Sequence, residues 1–163
     1  MHMNSVLRSA AGWRRPLGLV ASITLAWSLA FAATAAEVKV LAATAFKPVI
    51  VAMTPIFEKR TGHKLVVISD SAERVAERIR AGEAFDLAVL PPALLEALGR
   101  DGSVSDGSII ALARDRAGAQ NAAVYAGAVS TMASNSPPAL SLLILLASEE
   151  TQAVLKGNGL AAP

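Results

Sequence analysis

The chain contains no cysteine, which excludes disulfide bonds, thiol catalysis and cysteine-ligated metal sites. Histidine is nearly absent as well: after residue 35 only His63 remains, beside the glycine that ends a predicted helix, where we expect a surface role. The residues present give no Ser-His-acid set, no P-loop and no metal-ligand spacing. Asp86, at the entry of a predicted buried strand, is interpreted as a structural hydrogen-bonding group. The sequence therefore predicts neither an enzyme nor a cofactor.

Acidic residues are absent before Glu37, and the segment that precedes it has the three parts of an export signal. Three arginines form a positive start, an apolar run extends from 17 to 31, and Ala33-Thr34-Ala35 fits an A-x-A cleavage site. The alternative is a membrane anchor, but the apolar core is shorter than the ~20 residues that a spanning helix needs. We predict a signal peptide over residues 1–35 and a periplasmic protein. The general and the twin-arginine export routes both remain open.

Removal of this leader changes the charge of the protein. The chain has 15 basic and 13 acidic residues, and three of the basic ones lie in the leader, which leaves 12 against 13. The basic residues that remain are scattered along the chain, without interleaved aromatics. The sequence pI of about 9.3 is thus a property of the leader, and we expect no nucleic-acid partner.

Strand and helix patterns alternate along residues 36–163, which indicates an α/β domain with a mostly parallel sheet. The predicted strands are 38–42, 65–68, 85–90 and 124–129, and a further extended segment covers 108–112. Helical spacing marks the segments between them and two helices after residue 135. Residues 113–123 have neither period and are interpreted as a linker.

Three stretches carry a family resemblance: "VKVLAATAFKPVI…TPIFEKRTGHKLVV", "ERIRAGEAFDLAVLPPALLEAL" and "VYAGAVS…LILLASEETQAVLKGNGL". Together they cover most of residues 37–113 and 124–160, and their order resembles the molybdate-type periplasmic solute-binding proteins of bacterial ABC importers. Such proteins have the type II periplasmic binding protein fold, in which two α/β lobes hold a ligand between them. Here only about ten residues stand where the chain should cross into the second lobe. The resemblance therefore implies that this lobe is absent.

The expected architecture is a single three-layer lobe that resembles lobe one of that fold. Its sheet should be mostly parallel, with one antiparallel strand, 124–129, where the chain returns. We expect the lobe to span residues 36–163, in two segments, 36–113 and 124–163, joined by the short linker.

Two loops are candidates for the ligand site, because open α/β sheets bind ligands at the carboxyl ends of their strands. The resemblance implies that the family holds its anion there through hydroxyls and backbone N–H groups. The candidate residues are Thr44, Ala45 and Phe46 after the first strand, and Ser71 and Ala72 after the second.

This sequence departs from the family at both loops. Ala45 stands where the family usually has a serine, and Asp70 and Glu73 place carboxylates beside the second loop. Two such charges repel a divalent anion. Helix capping by Ser71 and Thr44 would explain those two residues without any ligand.

The resemblance predicts a periplasmic component of an ABC importer that binds a small oxyanion such as molybdate, in a truncated and weakened form. Its partners would be the oxyanion and the permease at the inner membrane. The alternatives are a single-lobe interaction or sensor module without transport function, which includes self-association, and a reading frame without function. A ligand-dependent shift in melting temperature would separate the first hypothesis from the others.

Overall fold

The computed structural model describes residues 35–116 and 123–163. The predicted signal peptide lies, except for Ala35, outside the described residues, as do residues 117–122 of the predicted linker. Six strands and five α-helices are found in the described part. They are β1 (Glu37–Ala43), α1 (Lys47–Thr61), β2 (Lys64–Asp70), α2 (Ala72–Arg80), β3 (Leu87–Leu90), α3 (Pro92–Arg100), β4 (Ile110–Asp115), β5 (Val124–Val129), α4 (Ser136–Leu146), α5 (Glu149–Gly157) and β6 (Leu160–Ala161).

The strands form one sheet in the order β2-β1-β3-β5-β4-β6. β1 pairs in parallel with β2 and β3, whereas β5 runs antiparallel to β3 and β4, and β6 runs antiparallel to β4. Four strands therefore point one way, but only two of the five pairings, β1 with β2 and β1 with β3, are parallel, so the sheet is mixed. The α/β fold and the antiparallel returning strand at 124–129 are confirmed, and the expectation of a mostly parallel sheet holds only approximately. One detail of the prediction was wrong: two strands, β5 and β6, run against the rest, because the last residues of the chain return to the edge of β4.

Helices cover both faces of the sheet, as successive residues of β1 show. Val40 and Ala42 belong to a core that includes Phe46, just before α1, and Ile50 and other buried residues of α1, together with residues of α4 and α5. The alternate positions of β1 contribute to a second core, which is closed by α2 and α3. Side chains of a strand point alternately to opposite faces, so the two cores establish the three-layer arrangement.

The ends of α1 and α2 follow from local chemistry. α1 ends at Gly62, whose φ of 72° is a left-handed conformation that glycine adopts without a Cβ penalty. The N–H of Gly62 donates to the carbonyl of Glu58 at 2.9 Å, which satisfies one of the last carbonyls of the helix. α2 begins after Ser71, whose side chain accepts the N–H of Arg74. Both boundaries match the sequence predictions.

The predicted extended segment 108–112 and the predicted linker 113–123 both differ from the structure. The extended segment expected at 108–112 is a strand that begins at Ile110 and continues to Asp115, so part of the predicted linker belongs to the sheet. β4 and β5 form a hairpin, in which Arg114 pairs with Val124 and the N–H of Asp115 donates to the carbonyl of Ala123 at 2.7 Å. The chain therefore leaves the sheet and re-enters it at adjacent positions.

The last two helices match the helical pattern of the sequence only in part. That pattern predicts Leu140, Leu143, Ile144 and Ala147 as the inner residues of the first helix and Ala153 and Val154 as those of the second; Leu143 is buried and Val154 partly buried, as predicted. In α4, Leu140 and Ile144 are exposed, and Ala139, Leu142 and Leu146 are buried instead. In α5, Ala153 is exposed and Leu155 is buried. No single helix of the described residues is long and apolar enough to cross a membrane; α4 and α5 together reach that length and hydropathy but are bent by 64° where they meet.

Candidate functional site

The register of β1 and β2 brings the two predicted loops together. Ala43 pairs with Asp70 at the carboxyl ends of these parallel strands, so Thr44 and Ser71 are the first residues beyond the same edge of the sheet. Adjacent strands lie about 4.8 Å apart, which places both loops within reach of one small ligand. The five predicted site residues therefore share one end of the sheet.

The first loop is a single 3₁₀ turn, Thr44–Phe46, that continues directly into α1. Thr44 and Ala45 are exposed, and no hydrogen bond of the Thr44 hydroxyl is found among the described residues. Thr44 is not a helix cap, contrary to the expectation from sequence, because the residues at the two cap positions are Ala43 and Phe46. Its hydroxyl is free to donate to a ligand.

The second loop is partly occupied by its own side chains. Ser71 caps α2, since its Oγ atom accepts the N–H of Arg74 at 3.3 Å. The Oδ1 atom of Asp70 accepts the N–H of Ser71 at 2.8 Å, so this donor already has an anionic partner. The N–H groups of Ala72 and Glu73 lie in the first turn of α2, where no intrahelical acceptor is available. They are the backbone donors that this loop can offer to an anion.

The third parallel strand adds few donors to this edge. β3 ends at Leu90 and is followed by Pro91, the N-cap of α3, and by Pro92, the first residue of that helix. Proline has no N–H group, and the N–H of Leu94 already donates to the carbonyl of Pro91, so Ala93 is left as the main donor at the start of α3. Most donors of the candidate site therefore come from the loops after β1 and β2.

Charges of both signs surround the two loops. Lys47 opens α1 and is exposed, and Arg74 lies in α2, whereas Asp70 and Glu73 are negative. Arg78 has a raised pKa because its guanidinium hydrogen-bonds to Glu83, with a further contribution from the negative charge of Asp70. The site is thus mixed in sign, without the excess of positive charge that would attract a divalent anion from a distance.

Only the backbone of Phe46 is available to a ligand at the first loop. Its side chain is fully buried in the core, and its ring centroid lies 5.7 Å from that of Tyr125, with the two planes tilted by 43°. Tyr125 lies near the start of β5 and is half-buried, and burial raises the pKa of its phenol, with a smaller contribution from Asp115. This contact joins the first loop to the returning strand.

Tyr125 was not anticipated as a neighbour of the site. The available signal was its position at the second residue of the predicted returning strand, which an antiparallel pairing places at the same sheet edge as the end of β3. Leu90 indeed pairs with Ala126, next to Tyr125. In the described ranges, 35–116 and 123–163, no three carboxylates or histidines come together as ligands for a metal ion.

Comparison with known proteins identifies similar sequences and structures. Residues 38–119 match the family model of bacterial extracellular solute-binding proteins. No curated protein matches the chain. Among solved structures, the periplasmic molybdate-binding protein of Azotobacter vinelandii superposes with a TM-score of 0.71 at 13% sequence identity, and the match covers 78% of this chain and 100% of that one.

Two further structures share the fold but are described with other ligands. The sulfate-binding protein SubI from Mycobacterium tuberculosis gives a TM-score of 0.63 at 8% identity, with 77% of this chain and 86% of that one covered. Iron-bound HitA from Pseudomonas aeruginosa gives 0.62 at 10% identity, with 74% and 84% covered. At these identities the likeness establishes the fold and leaves the ligand open.

Proposed function

Because this chain belongs to the family of bacterial extracellular solute-binding proteins, we propose that its ligand is a small oxyanion of the molybdate type, held at the carboxyl ends of β1 and β2. The observation that carries the proposal is the pairing of Ala43 with Asp70, which sets the loops that begin at Thr44 and Ser71 side by side. As a member of a family of transport receptors, the protein would deliver this anion to an ABC permease from the periplasmic side of the inner membrane.

The chemistry of the two loops supports an anion of this kind. The hydroxyls of Thr44 and Ser71 can each donate one hydrogen bond, and the first turn of α2 presents the free N–H groups of Ala72 and Glu73 with a partial positive charge. The first turn of α1 adds little, because the N–H of Lys47 donates to the carbonyl of Thr44 and Pro48 has no N–H. Hydrogen bonds from such donors to an oxyanion are charge-assisted and stronger than neutral ones. A tetrahedral anion needs several donors that converge from different directions, and two neighbouring loops supply them.

The described lobe holds the ligand from one side only. A second lobe would exclude water and lower the local dielectric around the anion, which strengthens every hydrogen bond to it. Loss of two charge-assisted bonds costs roughly 3–6 kcal/mol, or two to four decades in affinity. Asp70 and Glu73 reduce affinity further by repulsion. We therefore expect no molybdate binding tighter than about 100 μM.

The test is a titration of the purified protein with molybdate, tungstate, sulfate and phosphate, followed by calorimetry and by thermal unfolding. The proposal expects a rise in melting temperature with at least one of these anions at millimolar concentration. Ser71→Gly should abolish most of that rise, because glycine lacks the hydroxyl that would bind the anion. Glycine is also tolerated at an N-cap, so the change should lower the stability of the helix by only a few tenths of a kcal/mol. Ser148→Gly, the same change at the N-cap position of α5, is the control for loss of a serine hydroxyl away from the two loops; this hydroxyl donates to the carbonyl of Leu145 and does not cap the helix.

A second candidate function, an interaction module without transport, is favoured by one observation. The carboxylate of Asp70 occupies the N–H of Ser71, a donor that an anion site would use. If none of the four anions shifts the melting temperature, or if the Ser71 and Ser148 variants respond alike, the oxyanion proposal is wrong and this alternative stands.

A further inference from the structure

The outer edge of β2 is an unpaired strand edge. Its inner side pairs with β1 along all seven residues from Lys64 to Asp70. No other strand in the described part of the chain lies on its outer side. Such an edge presents a row of N–H and C=O groups that can accept another strand.

The backbone alternation identifies which groups face outward. The N–H of Lys64 donates to the carbonyl of Ala36 at 3.0 Å, so residue 64 and every second residue after it direct their backbone groups toward β1. Leu65, Val67 and Ser69 therefore direct their N–H and C=O groups away from the sheet. These three residues form the outward half of the ladder, which pairs with no other strand among the described residues.

We propose that two copies of this protein pair through β2, antiparallel and centred on Val67. This register sets residues 65, 67 and 69 of one copy opposite 69, 67 and 65 of the other, so every outward N–H meets a carbonyl. It also sets Lys64 of each copy opposite Asp70 of the other. The sequence of β2 is thus complementary in charge to its own reverse, and the two-fold axis provides the Lys64–Asp70 pair twice.

The apolar residues of β2 fit the same register. Val66, which is 37% exposed, lies opposite Ile68 of the second copy, on the sheet face that also carries Lys64 and Asp70. These pairs occupy the non-hydrogen-bonded positions, where the side chains of an antiparallel pair lie closest together. A register shifted by one residue would place Lys64 opposite Ser69 and lose the charge pairs.

Glu58 limits the strength of the pairing. Its Oε1 atom accepts the outward N–H of Leu65 at 3.2 Å, and its Oε2 atom accepts the ammonium group of Lys64 at 2.9 Å. Both contacts lower the pKa of the Glu58 carboxyl, and the contact with Lys64 has the larger effect. The carboxylate must release Leu65 before a second strand can bind, so the dimer is weak and depends on protein concentration.

The two anion sites lie far apart in such a dimer, because an antiparallel arrangement sets the carboxyl ends of β1 and β2 of the two copies at opposite ends of the joint sheet. Lys64 of one copy does reach Asp70 beside the second loop of the other, and its charge should reduce the repulsion of an anion there. Anion affinity is therefore measured at a protein concentration at which the protein is monomeric. Failure of the dimer and failure of anion binding are separate results.

The experiment is sedimentation velocity over about 5–500 μM protein, purified from cells that express the full chain. The proposal expects a concentration-dependent dimer. Lys64→Asp and Asp70→Lys should each weaken it by about tenfold or more, because each turns both cross-pairs into like-charge contacts. The double variant exchanges the two charges and should restore the dimer to near the level of the unchanged protein. Lys59→Asp, an equal charge change on the exposed face of α1, is the control.

Two further variants examine the backbone and Glu58. Ser69→Pro removes an outward N–H that makes no bond within the sheet, and it should abolish the dimer while far-UV circular dichroism stays unchanged. Glu58→Ala should strengthen the dimer several-fold, because it frees Leu65 and Lys64. A protein that remains monomeric at 500 μM in both the unchanged form and Glu58→Ala overturns the proposal. So does a dimer that the single charge reversals leave intact.

Discussion

The Oδ1 atom of Asp86 accepts the backbone N–H of Asn135 at 3.0 Å, and its Oδ2 atom accepts that of Lys39 at 2.9 Å. One carboxylate, only 5% exposed, therefore links β1 to the residue that precedes α4. Asn135 adds a return contact, because its side-chain Nδ2 donates to the carbonyl of Glu37 at 2.9 Å. The early and the late segments of the chain are held together at this point by polar contacts as well as by the core.

Replacement of Asp86 should destabilise the lobe. Asp86→Ala leaves two N–H groups without acceptors and is expected to lower the free energy of unfolding by about 3 kcal/mol. Asp86→Asn keeps one acceptor oxygen and should cost about half as much. Urea denaturation at neutral pH measures both values. Equal, small losses for the two variants would mean that water replaces the carboxylate at no cost.

Stability should fall between about pH 5 and pH 2 through Glu83. Hydrogen bonds from Arg78 and then Lys39 lower the pKa of this carboxyl to about 2. A depressed pKa in the folded state means that the stabilisation is present above the unfolded value, near 4.3, and is lost as the pH falls through the folded value. Glu83→Gln should therefore cost about 1 kcal/mol at pH 7 and almost nothing near pH 2. Glu96→Gln, the same change on the exposed face of α3, is the control in urea denaturation.

The phenol of Tyr125 should ionise above pH 10 in the folded protein. Burial is the main cause of its raised pKa, and the negative charge of Asp115 is a smaller cause. It is the only tyrosine of the chain, so absorbance at ~295 nm follows this group alone. Asp115→Asn should lower the pKa only in part, because burial remains. A pKa equal to that of a free tyrosine would show that the ring is solvated. Because the raised pKa belongs to the folded state, ionisation of Tyr125 also destabilises the protein at high pH.

Export should yield a protein that begins at about Ala36. Both tryptophans, Trp13 and Trp27, lie in the predicted leader, so the exported form should contain none. Intact-mass spectrometry and the absence of tryptophan fluorescence from periplasmic material test this together. Tryptophan emission from the purified periplasmic protein would contradict cleavage after Ala35.

Affinity for an oxyanion should rise when the second loop is changed toward small hydroxyl residues. Asp70→Ser removes a negative charge and frees the N–H of Ser71, two effects of about 1 kcal/mol each. Calorimetry should show an increase of about tenfold or more in the association constant. Glu77→Ser removes the same charge from α2 beyond its first turn and is the control. If both variants bind equally well, only the net charge of the helix matters.

The sequence predicted the sheet well because its central strands are short apolar runs bounded by turn residues. Strands 38–42, 65–68, 85–90 and 124–129 are all found, and the direction of the last one is confirmed. The inward face of α4 could not be predicted in the same way. Its residues are apolar on every side, so no periodicity distinguishes the buried Leu142 from the exposed Ile144.

The candidate site was predictable as a position in the fold and less so in its details. Thr44 and Ser71 each follow a predicted strand, and once these two strands pair in parallel, both residues must lie at the same end of the sheet. Two details could not be predicted: Asp70 accepts the N–H of Ser71, and Phe46 packs against Tyr125. Both depend on side-chain rotamers and on tertiary pairing, which local sequence patterns do not encode. The binding role of the five residues stays a prediction.

The hairpin of β4 and β5 has a practical consequence for engineering. Because Asp115 and Ala123 are hydrogen-bonded to each other, the sheet holds the two ends of the connection between them at a fixed, short separation. A folded guest domain whose own termini lie close together could be grafted between these residues without strain on the sheet. Closing a longer connection costs little extra entropy, since each doubling of its length adds only about 0.6 kcal/mol. The lobe could therefore accept a sensor module, which would lie at the same end of the sheet as the loops that follow β1 and β2.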